Sequence, residues 1–150
     1  MGSRQRRPAL IVRAAVRIVA AVLVSLAGLA CDASSSQPAV PLYGVEWRAL
    51  SISGRPPVAG HDVTLRLEPA GRVQGSTGCN SYGGSFELRD GRLELRDLLM
   101  TAAACVDRGA ADAERRFLEV LHAEELQVQL GGGQLRLVAP AGDVVFGATP

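Results

Sequence analysis

Apolar and polar residues alternate along most of the chain beyond residue 43. In Val63 to Glu68, Val63, Leu65 and Leu67 interleave with Thr64, Arg66 and Glu68, which puts three apolar side chains on one face of a strand. The same period of two recurs in Phe86 and Leu88, in Leu93 and Leu95, in Leu126, Val128 and Leu130, and in Leu135 and Leu137. Turn chemistry separates these runs: Pro69-Ala70-Gly71, Asp90-Gly91, Gly131-Gly132-Gly133 and Pro140-Ala141-Gly142-Asp143. Asp90-Gly91 is the strongest signal, because a two-residue type I′ turn needs positive φ at both positions and Asp-Gly adopts it at little cost. One segment breaks the pattern. In residues 111–123 (ADAERRFLEVLHA), Ala113, Phe117, Val120 and Leu121 share one stripe at helical spacing, with Glu114, Arg115 and Glu119 outside it and Asp112 placed to cap or charge-stabilise the start. Short strands, tight turns and a single late helix predict a mainly β, α+β domain. Its form is an antiparallel curled sheet or partly closed barrel, with one helix packed near residues 111–123.

Composition limits the function classes. A chain of 150 residues, 47% hydrophobic and 21% charged, is one globular domain with a real core and excludes a multidomain enzyme. One Trp, two Tyr and three Phe leave that core dependent on Leu and Val. The net charge of +1 conceals an asymmetry: Arg4, Arg6, Arg7, Arg13 and Arg17 fall in the first 30 residues, which carry no acid. The remainder has 11 arginines against 15 acidic residues, so its charge is near −4. A mildly acidic body argues against nucleic acid, since neutralising several phosphates requires a basic face.

The arginine-rich start leads into Ile18–Ala30 (IVAAVLVSLAGLA), which is free of charge but shorter than the roughly 20 apolar residues of a transmembrane helix. A basic region followed by a short apolar one reads as a secretory signal over residues 1–30. Ala27-Gly28-Leu29-Ala30-Cys31 resembles the lipobox of bacterial lipoproteins, with Gly28 where Leu is usual. That resemblance implies a mature chain beginning at a lipidated Cys31, anchored to a membrane by several acyl chains. Residues 31–42, rich in Ser, Pro and Ala, then form a flexible tether, and the folded domain spans residues 43–150.

Three cysteines allow three pairings, and lipidation of Cys31 leaves Cys79 with Cys105. In an exported protein these two are expected to be oxidised, closing a loop that stabilises the fold by about 3 to 4 kcal/mol. A redox-active or metal-binding pair is the alternative, but there is no Cys-x-x-Cys, and His61 and His122 lie at no recognisable metal spacing; no metal or cofactor is expected.

The segment from Arg72 to Cys105 contains Gly78-Cys79-Asn80, then Tyr82-Gly83-Gly84-Ser85-Phe86, a Leu-x-Leu strand at Leu93 and Leu95, and Thr101-Ala102-Ala103-Ala104-Cys105. Together with Glu114, Phe117, Leu118 and Leu121, this resembles the META domain family, also called HslJ-like, of small bacterial envelope proteins. Trp47, Ile52 and Gly54 resemble the family's opening strand, and Leu135, Leu137 and Phe146 its closing strands, so the resemblance covers roughly residues 45–147. Ala49 stands where a Leu is usual after the Trp. Ala102 and Ala103 replace a basic residue and a Met, so a partner-binding role of that basic residue would be missing here. The resemblance implies a Cys79–Cys105 disulfide and envelope or stress-related roles, and it implies no reaction.

Nothing in the sequence assembles a catalytic constellation. The run GSTGCNSYGG lacks the Gly-Lys-Ser/Thr of a phosphate cradle, and tight turns account for its glycines. His61-Asp62 could be drawn into a triad, yet no Ser sits in a Gly-x-Ser-x-Gly context, and Glu124-Glu125 reads as a solvated junction. The candidate binding residues are Trp47, Asn80 and Tyr82. Each has a simpler reading: core packing for Trp47, an Asn that bonds its own backbone or accepts positive φ, and a turn-flanking ring for Tyr82. The expectation is a non-catalytic, lipid-anchored envelope protein that binds an envelope partner or protects against stress. A small-ligand carrier or envelope enzyme using a pocket near Trp47, Asn80 and Tyr82 is the alternative.

Overall fold

The computed structural model describes residues 40–149; the signal, the lipobox with Cys31 and most of the tether lie outside the described residues. Eight strands follow in order, β1 (Glu46–Ile52), β2 (Val63–Glu68), β3 (Arg72–Thr77), β4 (Ser81–Arg89), β5 (Arg92–Met100), β6 (Leu126–Gly131), β7 (Gln134–Ala139) and β8 (Gly142–Ala148), with helix α1 (Arg108–Leu121) between β5 and β6. Each strand pairs antiparallel with the next, and β8 returns to β1, so the expected curl is completed into a closed up-and-down barrel. Closure is uneven. β5 and β6 share a register of two pairs, Arg92 with Gln127 and Leu93 with Leu126, whereas β2 and β3 share six, from Val63–Thr77 to Glu68–Arg72.

The alternation read from the sequence points inward as expected: Val63, Leu65 and Leu67 of β2, Leu93 of β5, Leu126 of β6 and Leu135 and Leu137 of β7 are all buried. In β1 a register shift between Ala49 and Ser51 rephases the strand, so that Ile52 joins Trp47 and Ala49 inside while Leu50 stays half exposed. β3 shows little alternation in sequence because its inward position 75 is a glycine. A Cβ there would run into the Thr64 carbonyl and lie 2.7 Å from the Tyr82 hydroxyl, so the bare backbone makes room for the Tyr82 ring.

The turns follow their chemistry. Arg89 pairs with Arg92 across Asp90 and Gly91, which have φ of 51° and 74°, the I′ geometry expected of Asp-Gly. Gly131 pairs with Gln134, leaving Gly132 and Gly133 as the tip of the next hairpin. The glycine-rich run, expected as turns, is mostly strand: only Gly78, Cys79 and Asn80 separate β3 from β4. Gly78 takes φ of 95° and crosses close to His61, while Gly84 lies beside a bulge against β5.

Helix α1 begins at Arg108, three residues before the start predicted from its apolar stripe, and Asp107, not Asp112, is its cap: Asp107 Oδ1 accepts from the Ala110 amide at 2.8 Å. The first turn carries Gly109 and no large apolar residue, so the stripe could not announce it. Asp112 sits one turn further on, paired with Arg115 and Arg116. Ala110, Ala113, Phe117, Val120 and Leu121 are buried, and the Phe117 ring lies 5.8 Å from that of Tyr82.

Strand direction sorts the connections onto two ends. The β1–β2, β3–β4 and β7–β8 connections and α1 gather at one end of the barrel; the β2–β3, β4–β5 and β6–β7 hairpins gather at the other. The chain enters at the hairpin end, where Val40 and Leu42 pack against the core, the Leu42 carbonyl accepts from Trp47 Nε1 at 3.1 Å and the Tyr43 ring stacks on Phe86.

Candidate functional site

The residues that the sequence singles out converge at the helix end of the barrel. The turn Gly78-Cys79-Asn80 is closed by a bond from the Thr77 amide to the Asn80 carbonyl at 2.7 Å. Thr77, fully buried, accepts the Asn80 amide on its hydroxyl at 2.9 Å and donates its one proton to Glu114 Oε1, the charged and therefore stronger acceptor within reach. Asn80 spends its whole side chain. Its Oδ1 accepts from the Ala103 amide at 2.7 Å and the Thr101 hydroxyl at 2.9 Å, while Nδ2 donates to Glu114 Oε1 at 3.0 Å and the Ala103 carbonyl at 3.3 Å. The Ala103 N–H fixes which amide atom is the acceptor, because a donor cannot face the NH2 group.

Three separate pieces of chain are thereby joined: the β3–β4 turn, the segment after β5 and the second turn of α1. The Cys79–Cys105 disulfide, with Cα atoms 5.5 Å apart, joins the first two covalently beside the same network. Asn80 has neither of the simpler roles expected for it: its side chain bonds a different segment and its φ is not positive. Glu114, placed outside the apolar stripe of the helix, is the partner that periodicity missed; only the Glu-x-x-Phe element of the resemblance pointed to it. Ala103 enters through its backbone, which explains why a small side chain stands there without loss of the contact.

Trp47 and Tyr82 lie inside the barrel. Trp47 is fully buried, and its single donor is used on the Leu42 carbonyl. The Tyr82 hydroxyl donates to the Thr64 carbonyl at 2.9 Å, and burial pushes its phenol pKa well up, so it stays neutral. Trp47 and Tyr82 share a row across β1 to β4 through Leu65 and Gly75, but Asn80 belongs to the network at the barrel's end.

Among the described residues, neither histidine is paired with a catalytic partner. His61 Nδ1 lies 3.0 Å from the Gly78 carbonyl, while Asp62 is paired with Arg48 at 2.5 Å, so the two neighbours face different groups. His122 is the C-terminal cap of α1, its amide bonding the Leu118 carbonyl at 2.9 Å. On the outer face of β4 and β5, Arg96 bonds Glu94 at 2.8 Å and Glu87 at 2.9 Å. The Arg96 bond holds the Glu94 carboxyl below the usual carboxylate range, yet these partly exposed surface groups carry little energy.

One surface feature departs from this polar exterior. From Leu99 through Val106 the chain is almost entirely apolar and outward: Leu99 is 80% exposed, Val106 95%, and Met100, Ala102, Ala103 and Ala104 are exposed between them. Residues 94–100 of β5 pair with β4 alone among the described residues, and a bulge with Asp97 at φ of 53° twists this margin.

A closed eight-stranded up-and-down barrel, plugged at one end by a helix that a Thr–Asn–Glu network and a disulfide tie to the β3–β4 turn, defines the class of the described domain. The chain belongs to the META domain family, whose model matches residues 40–148. Among solved structures, it is similar to one determined by NMR, at 23% identity and a TM-score of 0.61 over 71% of this chain and 90% of that one. It is also similar to the NMR structure of a protein from Burkholderia xenovorans, at 30% identity and a TM-score of 0.55 over 72% of this chain and 83% of that one. No curated protein gives a significant match.

Proposed function

We propose that this META domain protein is a non-catalytic, lipid-anchored binding module of the cell envelope, held by a lipidated Cys31 and engaging an envelope protein through the margin Leu99–Val106. The observation that carries the reading is that margin: a run of exposed, mostly apolar residues tied at Thr101 and Ala103 to Asn80 and at Cys105 to the disulfide. Exposed apolar surface of this kind is costly in a monomer and marks a contact site. The basic start, short apolar stretch and lipobox-like Ala27–Cys31 support the anchor.

The carrier or enzyme alternative has less support. The polar atoms of Trp47, Asn80 and Tyr82 are all satisfied within the protein, and none is left aimed at a ligand.

Two experiments test the proposal. Cells fed radioactive palmitate should label the wild-type chain and not a Cys31→Ser variant; label surviving in the variant removes the anchor. A photo-crosslinking residue placed at Leu99 or Val106 should give a discrete adduct in native envelopes, while one at Gly132, on the opposite end, should give none. Equal yields from both ends would overturn the binding margin.

A further inference from the structure

The Cys79 and Cys105 sulfurs and a Glu114 carboxylate oxygen all lie within 4.8 Å of one another. We propose that, once the disulfide is reduced, the two thiolates and Glu114 form a three-ligand site for a divalent zinc-type cation. While oxidised, the sulfurs are bonded to each other and unable to ligate, so metal binding and the disulfide exclude one another.

Three features of the structure support the site. The two cysteine Cα atoms stand 5.5 Å apart on segments that Asn80 pins together, so reduction frees the sulfurs without releasing the backbone that carries them. The carboxylate is already oriented. Among the described residues both hydrogen bonds to Glu114, from Thr77 and Asn80, fall on Oε1, which leaves Oε2 as the ligating oxygen. Such bonds to a ligand's outer atom fix its direction and raise metal affinity. The chemistry of the set is also selective: two thiolates with one carboxylate suit a borderline-soft, tetrahedral ion, and both cysteines line a surface groove with His61, Val106 and Asp107.

The conversion balances simply. A dithiol reductant supplies two electrons and two protons, breaks the S–S bond and leaves as its own disulfide. Each cysteine thiol then loses its proton on binding, so one cation enters and two protons leave.

The test is a titration of the full chain, reduced with a phosphine, using Co2+ as the probe and circular dichroism to follow the fold. The reduced protein should develop thiolate-to-cobalt charge-transfer absorption and the strong visible bands of a four-coordinate site; the oxidised protein should develop neither. Thr77→Val, which removes an outer partner of the ligand, should weaken Co2+ binding by roughly 10- to 100-fold, and Glu114→Gln, which removes the ligand itself, by a larger factor. Cys79→Ser should abolish the charge-transfer band. If reduction loosens the fold, Zn2+ should raise the melting temperature of the reduced wild-type chain and not that of reduced Glu114→Gln. Absence of the charge-transfer band in reduced wild type overturns the proposal, as does equal cobalt affinity in wild type and Glu114→Gln. A reduced, loosened chain that Zn2+ fails to stabilise also overturns it.

Discussion

Replacing Asn80 with alanine deletes four hydrogen bonds at once and tests whether the network at the helix end holds the domain together. Two of them join Asn80 to the backbone of Ala103, an exposed residue whose N–H and carbonyl regain water when the amide is gone. Each of those bonds, like the one from the Thr101 hydroxyl, contributes about 0.5 kcal/mol, at the low end of the usual range. The bond to Glu114 is charge-assisted and contributes about 1.5 to 3 kcal/mol. The expected loss is therefore about 3 to 4.5 kcal/mol, which at a urea m-value of about 1.5 kcal/mol/M moves the unfolding midpoint down by about 2 to 3 M. Asn80→Asp provides the control. It retains the acceptor but sets a second carboxylate against that of Glu114, so it should cost more than alanine at neutral pH and recover part of the loss in acid, where one carboxyl is protonated. Equilibrium urea unfolding of the disulfide-intact chain, followed by Trp47 fluorescence, measures both variants. A shift under about 0.5 kcal/mol in Asn80→Ala, or an Asn80→Asp variant indifferent to pH, would refute the assignment of Asn80 as the clamp between turn, loop and helix.

Gly75→Ala should destabilise by about 3 kcal/mol or prevent folding, because its Cβ meets the Thr64 backbone, which cannot move aside as a side-chain tip could; thermal melting reads this directly. Replacing both Cys79 and Cys105 with serine should lower stability by about 3.5 kcal/mol, the chain-entropy value for a bridge spanning 26 residues, and reduction of the wild type should match it in urea unfolding. The Arg115 hydrogen bond holds the Asp112 carboxyl below its ordinary range, so its contribution is present above the unfolded value of about 4 and is lost as pH falls through the lower folded value. The stability gap between wild type and Asp112→Asn should therefore be open at pH 7, close in strong acid and shrink with added salt; a gap constant across that range would contradict the ion pair.

Much of the fold was legible because the strands that line the barrel obey a period of two. β2, β6 and β7 announce themselves through Leu and Val at alternate positions, and Asp90-Gly91 specified its hairpin outright. β3 did not, since Gly75 occupies an inward position where an apolar side chain would otherwise mark the face. The helix start was missed for a comparable reason: Asp107 and Gly109 act through a cap and a close approach, and neither leaves an apolar stripe. Closure of the barrel was also invisible, because a pairing between distant β1 and β8 has no local signature. At the site, the disulfide and Asn80 stood out as residue types, yet the partners of Asn80 did not. Thr101 lies 21 positions away and Ala103 contributes only backbone, so neither distance nor side-chain chemistry could reveal them. Glu114 looked like an ordinary solvated helix acid, since amphipathic spacing cannot distinguish an acid facing water from one facing a buried threonine.

The two residue pairs that join β5 to β6 make the barrel a cylinder with a hinge line. Everywhere else the wall is sewn by longer registers, and the α1 excursion separates these two strands in sequence, so neither a hairpin turn nor a long ladder holds them together. Loss of the Arg92–Gln127 and Leu93–Leu126 pairs, with the adjoining bond from the Val128 amide to the Gly91 carbonyl, converts the cylinder into an open sheet with two bare edges, while every hairpin remains intact. The amides of Leu93, Leu126 and Val128 should consequently exchange with solvent at a lower free energy than those of β2 and β3, through a local opening that leaves the rest folded. Two molecules caught open at the same moment could trade β6–β8, which gives this small barrel an intrinsic route to domain-swapped dimers at high concentration.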